Sequence, residues 1–263
     1  MLAKQRRSEL LELVRTRGFA SLPELAEELS VSESTIRRDL DRLERSGTAR
    51  RTHGGVFYAG GSPGLPHFEQ RQPAHWPQKR SIARRAAELI EDGETVLLDG
   101  GSTTYEVARL LVSRPLQVVT NSLPVANLFA SQTNIDLVLL GGYVYPRTGV
   151  SIGPYANDML SSLNVQTTVL SVAGITGEGY YNSNLLLVET ERAMIAAADR
   201  VMVVADSTKL GRRSLAHLCE LGDVGTLVVD EQITPEWQKT IRAAGVELIV
   251  AGEPTTSDDR DGN

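Results

Sequence analysis

A chain of 263 residues, 41% hydrophobic and 23% charged, has room for a small head and one larger globular domain. Its single cysteine excludes an internal disulfide framework and a cysteine-built zinc site, its four histidines lack metal-ligand spacing, and no apolar run approaches the ~20 residues of a membrane span. The formal charge of −6 argues against nucleic acid until its distribution is read: residues 1–55 hold 11 of the 27 Lys+Arg and 9 of the 33 Asp+Glu, leaving 16 and 24 for the rest, so a weakly basic head sits on an acidic body.

Residues 4–17 predict a first helix, with Leu10, Leu13 and Val14 inward and Gly18 as its stop. Ser21 with Glu24 three residues on is a capping box, with Pro23 in the first turn, and Leu25 and Leu29 give a short second helix. Ser30-Val31-Ser32 is the turn, and Val31 plugs the gap before the third helix. There Ile36, Leu40 and Leu43 fall at i, i+4 and i+7 and line one face. Ser34, Thr35, Arg37, Arg38, Asp41 and Arg42 occupy the others. Adjacent arginines alone are usually solvated surface charge. Set at the start of the third helix of a helix-turn-helix, they are placed to meet bases and phosphates. Gly47 ends this helix, and strands over 48–52 and 56–58 around His53-Gly54-Gly55 make a wing. A head so weakly charged binds DNA poorly alone, so at least a dimer is expected.

Residues 59–78, with GGSPGLP and then several Pro, His and Gln, read as a linker. Residues 79–252 alternate β-branched runs with helical stretches, the pattern of an α/β domain with a mostly parallel sheet, beginning with a helix from Lys79 to Ile90. Strands end at Asp99, Thr120, Leu140, Gly174, Asp206, Asp230 and Val250, and a helix is expected over Glu189–Ala198. The polar tail 253–263 is expected to be disordered.

Polar residues cluster just after the strand ends, where open α/β sheets place their ligands. In Gly100-Gly101-Ser102-Thr103-Thr104, small residues let backbone N–H groups approach an anion, and the following helix turns its positive end to the same place. Lys209 follows another strand end and supplies a full charge; Thr120, Asn121 and Ser122 can bond sugar hydroxyls or phosphate. Singly, each is more often an ordinary turn, cap or surface charge. Several at successive strand ends point to a site.

In the head, TIRRDL, Leu43-Glu44 and R-x-H-G-G (Arg51 to Gly55) stand in a register that resembles the DeoR family of bacterial transcriptional regulators. Asp99–Thr104, Val119–Ser122, Gly141-Gly142, Glu189 with Arg192-Ala193-Met194, and Ala205–Gly211 extend the resemblance through nearly the whole chain. It implies a winged helix-turn-helix over residues 1–58 joined to an α/β domain similar to ribose-5-phosphate isomerase and related sugar-phosphate folds. It also implies a cytoplasmic repressor of sugar genes, a homodimer or homotetramer on double-stranded operator DNA, released by a phosphorylated sugar or related metabolite, with no cofactor, metal or membrane. Carried onto this sequence, the DNA contacts are Ser32, Ser34, Thr35, Arg37 and Arg38, with Arg50, Arg51 and His53 in the wing. The effector contacts are Asp99, Gly101, Ser102, Thr103, Thr104, Asn121 and Lys209, with Arg147 and Glu189 as weaker choices. The chain departs from the family pattern at Gln166, where an acid is usual, and at Ala173, where a serine is usual; both departures are expected to alter ligand contacts, and Tyr180–Asn184 to shape specificity. The competing reading is a sugar-phosphate isomerase-like enzyme with Asp99, Glu189 or Asp206 as base and Lys209 on the phosphate. Nothing in the sequence places those groups at a reacting carbon, and an isomerase gains nothing from a fused DNA-binding head.

Overall fold

The computed structural model describes the backbone at residues 3–17, 19–45, 49–51, 55–58 and 67–252, and the side chains there except at 3–4, 15–17, 19, 45, 50–51 and 57–58. The chain divides into two compact units, residues 1–65 with 183–186 and residues 66–182 with 187–263. Among the described residues no helix is long and apolar enough to cross a membrane.

The first unit runs α1 (Ala3–Arg17), β1 (Phe19–Ser21), α2 (Leu22–Glu28), α3 (Glu33–Arg45), β2 (Ala49–Arg51) and β3 (Gly55–Tyr58). Its sheet has the order β1-β3-β2, antiparallel throughout, so the two expected wing strands gain a third partner in β1. Ser21 ends β1 and caps α2: its hydroxyl accepts from the Glu24 amide (3.4 Å) while the Glu24 carboxylate accepts from the Ser21 amide (2.8 Å). The inward residues of the three helices, Leu10, Val14, Leu25, Leu29, Ile36 and Leu40, form one core with Ala20, Ala49 and Val56, and Val31 packs against its edge. The fully buried Leu10, Leu25, Ile36 and Leu40 each contribute roughly 2 kcal/mol. Buried Asp39 fixes α3 against α1, accepting from Arg6 Nε at 2.6 Å and facing Arg7 at 3.6 Å. The acid of the TIRRDL motif therefore orients the helix from behind.

The second unit starts earlier than the sequence suggests. Residues 67–78 of the expected linker are ordered structure: α4 (Phe68–Arg71) and the first turn of α5 (Trp76–Glu88) lie there. Phe68 is buried, its ring edge-on to Tyr105 at 5.3 Å, and its amide donates to the Arg147 carbonyl. One buried aromatic docks a segment whose composition otherwise reads as loop. The remaining linker residues and the tail 253–263 lie outside the described residues, as do Gly47 and His53.

Then follow β4 (Thr95–Leu98), α6 (Ser102–Leu111), β5 (Leu116–Thr120), α7 (Leu123–Phe129), β6 (Ile135–Leu139), β7 (Tyr143–Tyr145), β8 (Val150–Ile152), α8 (Pro154–Ser161), β9 (Val165–Leu170), β10 (Gly174–Thr176), β11 (Gly179–Asn182), α9 (Leu185–Ala196), β12 (Ala198–Ala205), β13 (Ala216–Cys219), β14 (Thr226–Asp230), α10 (Pro235–Ala243) and β15 (Glu247–Ala251). Seven of these strands form a parallel sheet, β15-β14-β12-β9-β4-β5-β6. Alternate residues Val96, Leu98, Val118, Val169, Met202, Val204 and Val228 pack with α5, α6 and α7 on one face. The chain enters the sheet at β4, winds outward through β5 and β6, then returns to β9 on the other side of β4. That reversal is a topological switch point, and its crevice opens at the carboxyl ends of β4 and β9. Two antiparallel additions were not foreseen: the β7–β8 hairpin and a β10-β11-β13 sheet. The expected strand through Gly174 is two strands, β9 and β10, and the helix expected from Glu189 begins at Leu185.

Candidate functional site

In the first unit, Ser32, Ser34, Arg37 and Arg38 are exposed at the start of α3, and Thr35 is half-buried. Ser32 caps the helix: its hydroxyl accepts from the Thr35 amide (3.3 Å) and meets the hydroxyls of Ser34 (2.9 Å) and Thr35 (3.0 Å). Arg37 pairs with Glu33 one turn back at 3.1 Å, an exposed contact of little energetic weight, while Arg38 stands beside it. Arg50 and Arg51 occupy β2 opposite Phe57 and Val56.

In the second unit, the polar residues meet at the switch point. Asp99, directly after β4, is buried. One of its oxygens accepts from the Gly100 amide, the other from the Ser171 amide (3.0 Å) and hydroxyl (3.2 Å), so it pins the loop after β4 to the loop after β9. Burial raises its pKa, against the hydrogen bonds from Ser171 and Gly100 and the charge of Arg71. The glycines are there for close approach: a Cβ on Gly101 would lie 1.4 Å from Ser171 Oγ, and one on Gly100 1.9 Å from Val150 Cγ1. Gly101 caps α6, whose first-turn residues Ser102, Thr103 and Thr104 are buried, and first-turn amides have no carbonyl of their own helix to bond. Thr104 Oγ1 has no partner among the described residues either.

After β5, Thr120 Oγ1 donates to the Leu98 carbonyl (2.6 Å) and Ser122 Oγ caps α7, so both hydroxyls hold structure. Asn121 differs: its Nδ2 donates to the Ser151 carbonyl, and its buried Oδ1 is unpartnered among the described residues. After β12, Asp206 caps the turn Ser207–Lys209, and Asp230, the last residue of β14, anchors it by accepting from the Ser207 amide (2.6 Å) and hydroxyl (2.9 Å). Lys209 Nζ lies 3.8 Å from Asp206 Oδ2, which has no hydrogen bond.

Several participants escape a reading by motif. Lys79, buried in α5, donates to the Arg71 carbonyl at 2.5 Å; burial lowers its pKa to about 8, with Asp206 opposing and Lys209 and Arg71 reinforcing the shift. Arg71, Lys79 and Lys209 thus share one field with Asp99 and Asp206. Buried Glu191 accepts from Asn182 Nδ2 at 2.6 Å and leaves Oε2 unpartnered; burial and the neighbouring Asp99 push its pKa well up. Glu189, the acid singled out in the sequence, is exposed two positions away. Such residues point to opposite sides of a helix, and Glu191 is the one turned towards Asp99. Arg147 sits in the β7–β8 turn, where its carbonyl receives the Phe68 amide. Gln166 lies at the start of β9, accepting from the Thr95 amide at 2.8 Å. That is the opposite end of the strand from Ser171 and Asp99.

A winged helix-turn-helix with exposed basic residues on its third helix, followed by an α/β domain with a polar crevice at its switch point, defines a DNA-binding regulator with a sensor domain. The DeoR-like helix-turn-helix domain matches residues 6–59 and the DeoR C terminal sensor domain residues 74–231. An uncharacterized HTH-type transcriptional regulator of Bacillus subtilis, YulB, is 31% identical over 94% of this chain and 96% of its own length. The glycerol-3-phosphate regulon repressor of Escherichia coli K12 is 34% identical over 88% and 92%. A solved D-ribose-5-phosphate isomerase in complex with phospho-erythronic acid aligns with 50% of this chain and 52% of its own at 18% identity and a TM-score of 0.38, too loose a likeness to carry an argument. The chain belongs to the DeoR family of transcriptional regulators.

Proposed function

We propose that this protein is a repressor of genes for a sugar or related metabolite, released from operator DNA by a phosphorylated, sugar-like effector bound at the carboxyl ends of β4, β5, β9 and β12. One observation carries the reading: Lys79 and Lys209 share the field of the crevice that holds the Gly-Gly-Ser-Thr-Thr loop, with polar atoms of Thr104, Asn121 and Glu191 left without protein partners. Cations and first-turn amides suit a phosphate, and the unpartnered oxygens suit hydroxyl groups. The relative named for the glycerol-3-phosphate regulon supports a small phosphorylated polyol as the ligand class.

Within this proposal Asp99, Gly101, Ser102, Thr103, Thr104, Asn121 and Lys209 line the site, and Glu191 takes the place of Glu189. Ser32, Ser34, Thr35, Arg37 and Arg38 face the major groove, with Arg50, Arg51 and His53 in the wing. Two heads on a homodimer or homotetramer occupy half-sites about 34 Å apart or a multiple of it. The site of action is the cytoplasm, with the operator. Regulation rather than catalysis is supported by Asp99, which an isomerase reading casts as base but whose oxygens already accept from Gly100 and Ser171.

The test is thermal stability of the full chain against sugar phosphates and their unphosphorylated parents. A ligand at 100 times its Kd stabilises by about 2.7 kcal/mol, a shift of several degrees. A shift with one phosphorylated compound and not its parent is expected, and Lys209→Ala abolishes it; no shift across the panel removes the sugar-phosphate reading.

A further inference from the structure

Arg71 closes α4, and one edge of its side chain is left without a protein partner among the described residues. Nε and Nη2, the two nitrogens along one edge of the guanidinium, are both buried without an acceptor among the described residues. Among the described residues no carboxylate pairs with it; Asp99 and Glu69 act on it only at longer range, while burial lowers its pKa. The Phe68 ring lies 5.9 Å from the guanidinium carbon. An uncompensated buried cation is unfavourable, and this edge matches two oxygens of one phosphate. The same residue is held from behind, because Lys79 bonds its carbonyl.

We propose that Arg71 receives the phosphate of the effector through its Nε–Nη2 edge, and that binding thereby locks α4, the first described element after the residues that join the two units. The inference rests on the reading of the strand ends as a sugar-phosphate site. Before binding, α4 is fixed by the Phe68 ring, the Phe68 amide on Arg147 and the Lys79 bond. A bound phosphate adds a charged contact from the interior of the sensor to the point where the chain enters it. A ligand can shift the regulator only by binding its two states unequally, and the proposal places that difference in the contact on the entering segment.

The experiment uses the full chain with inorganic phosphate as probe, against chloride at matched ionic strength, in the wild type, Arg71→Gln, Arg71→Lys and Lys209→Gln. Thermal midpoint and hydrogen exchange at residues 68–72 are read. In the wild type, phosphate raises the midpoint and slows exchange at 68–72 several-fold. Arg71→Gln removes the unpaired cation, so its midpoint without phosphate matches or exceeds the wild type, while its phosphate affinity falls about tenfold and the protection at 68–72 disappears. Arg71→Lys keeps the charge without the fork and falls between. If Arg71→Gln or Arg71→Lys responds to phosphate like the wild type while Lys209→Gln does not, the role of Arg71 is overturned and the site survives. Phosphate binding with unchanged exchange at 68–72 overturns the locking of α4. No response in the wild type overturns both this inference and the reading beneath it.

Discussion

Asp99 and Glu191 are both buried and lie in each other's field, yet their surroundings treat them differently. Asp99 is engaged by three protein donors, whereas Glu191 has one, Asn182, and a free Oε2. Burial and the charge of Asp99 keep Glu191 protonated well above the usual carboxylate range. The folded state therefore holds a proton that the unfolded state releases near pH 4.5. Stability consequently falls as pH rises from there towards the folded pKa, because the unfolded state binds fewer protons over that window. Glu191→Gln is neutral at every pH and removes this slope. Thermal melts are expected to show the variant equal to the wild type near pH 4 and more stable than it near pH 7; parallel curves for the two would show Glu191 to be ionised. Glu191 was not legible in the sequence because it stands beside a more conspicuous acid. A motif names a stretch, and only the helix phase decides which of two carboxyls two residues apart turns inward.

Elements whose signal is internal to them were legible, and those docked from a distance were not. The third helix of the head announces itself by Ile36, Leu40 and Leu43, and the second by the Ser21–Glu24 box. The four residues of α4 carry no periodicity; what orders them is the contact of Phe68 with Tyr105 of α6. Likewise β11 reaches β13 across α9 and β12, a pairing that no local pattern can show. Strand polarity separates Gln166 from the polar cluster in the same way: it begins the strand beyond whose far end lies Ser171. The turn of the helix-turn-helix carries a strained position, since Ser30 adopts φ 51° between α2 and α3. Glycine takes that conformation without its Cβ clash, so Ser30→Gly is expected to stabilise the head by about 1 kcal/mol in denaturant unfolding. Destabilisation by the variant would mean that the serine holds the turn through its side chain.

For the molecule as a whole, the division into a basic head and an acidic sheet domain was readable from charge distribution and from the change of period from helix to alternating helix and strand. The clustering of polar strand ends was readable too, because Asp99, Thr120, Asp206 and Asp230 must share one edge of a parallel sheet. The switch point was not: the order β9-β4-β5 follows from pairing, and it puts Asp99 and Ser171 in contact across 72 positions of sequence. In this account a ligand at that crevice weakens a DNA contact made by a separate unit, and a 100-fold loss of operator affinity requires about 2.7 kcal/mol of coupling. Charge-assisted bonds contribute roughly 1.5–3 kcal/mol each, so one or two made in only one state are enough.

The most direct measurement selects binding sites for the full chain from random-sequence duplexes, then titrates the selected duplex by fluorescence anisotropy with the sugar phosphate that stabilises the protein and with its unphosphorylated parent. The account predicts an operator affinity reduced about 100-fold by the phosphorylated compound, no effect of the parent, and no effect of either on Lys209→Ala. Operator affinity unchanged by a ligand that demonstrably binds the crevice would contradict it.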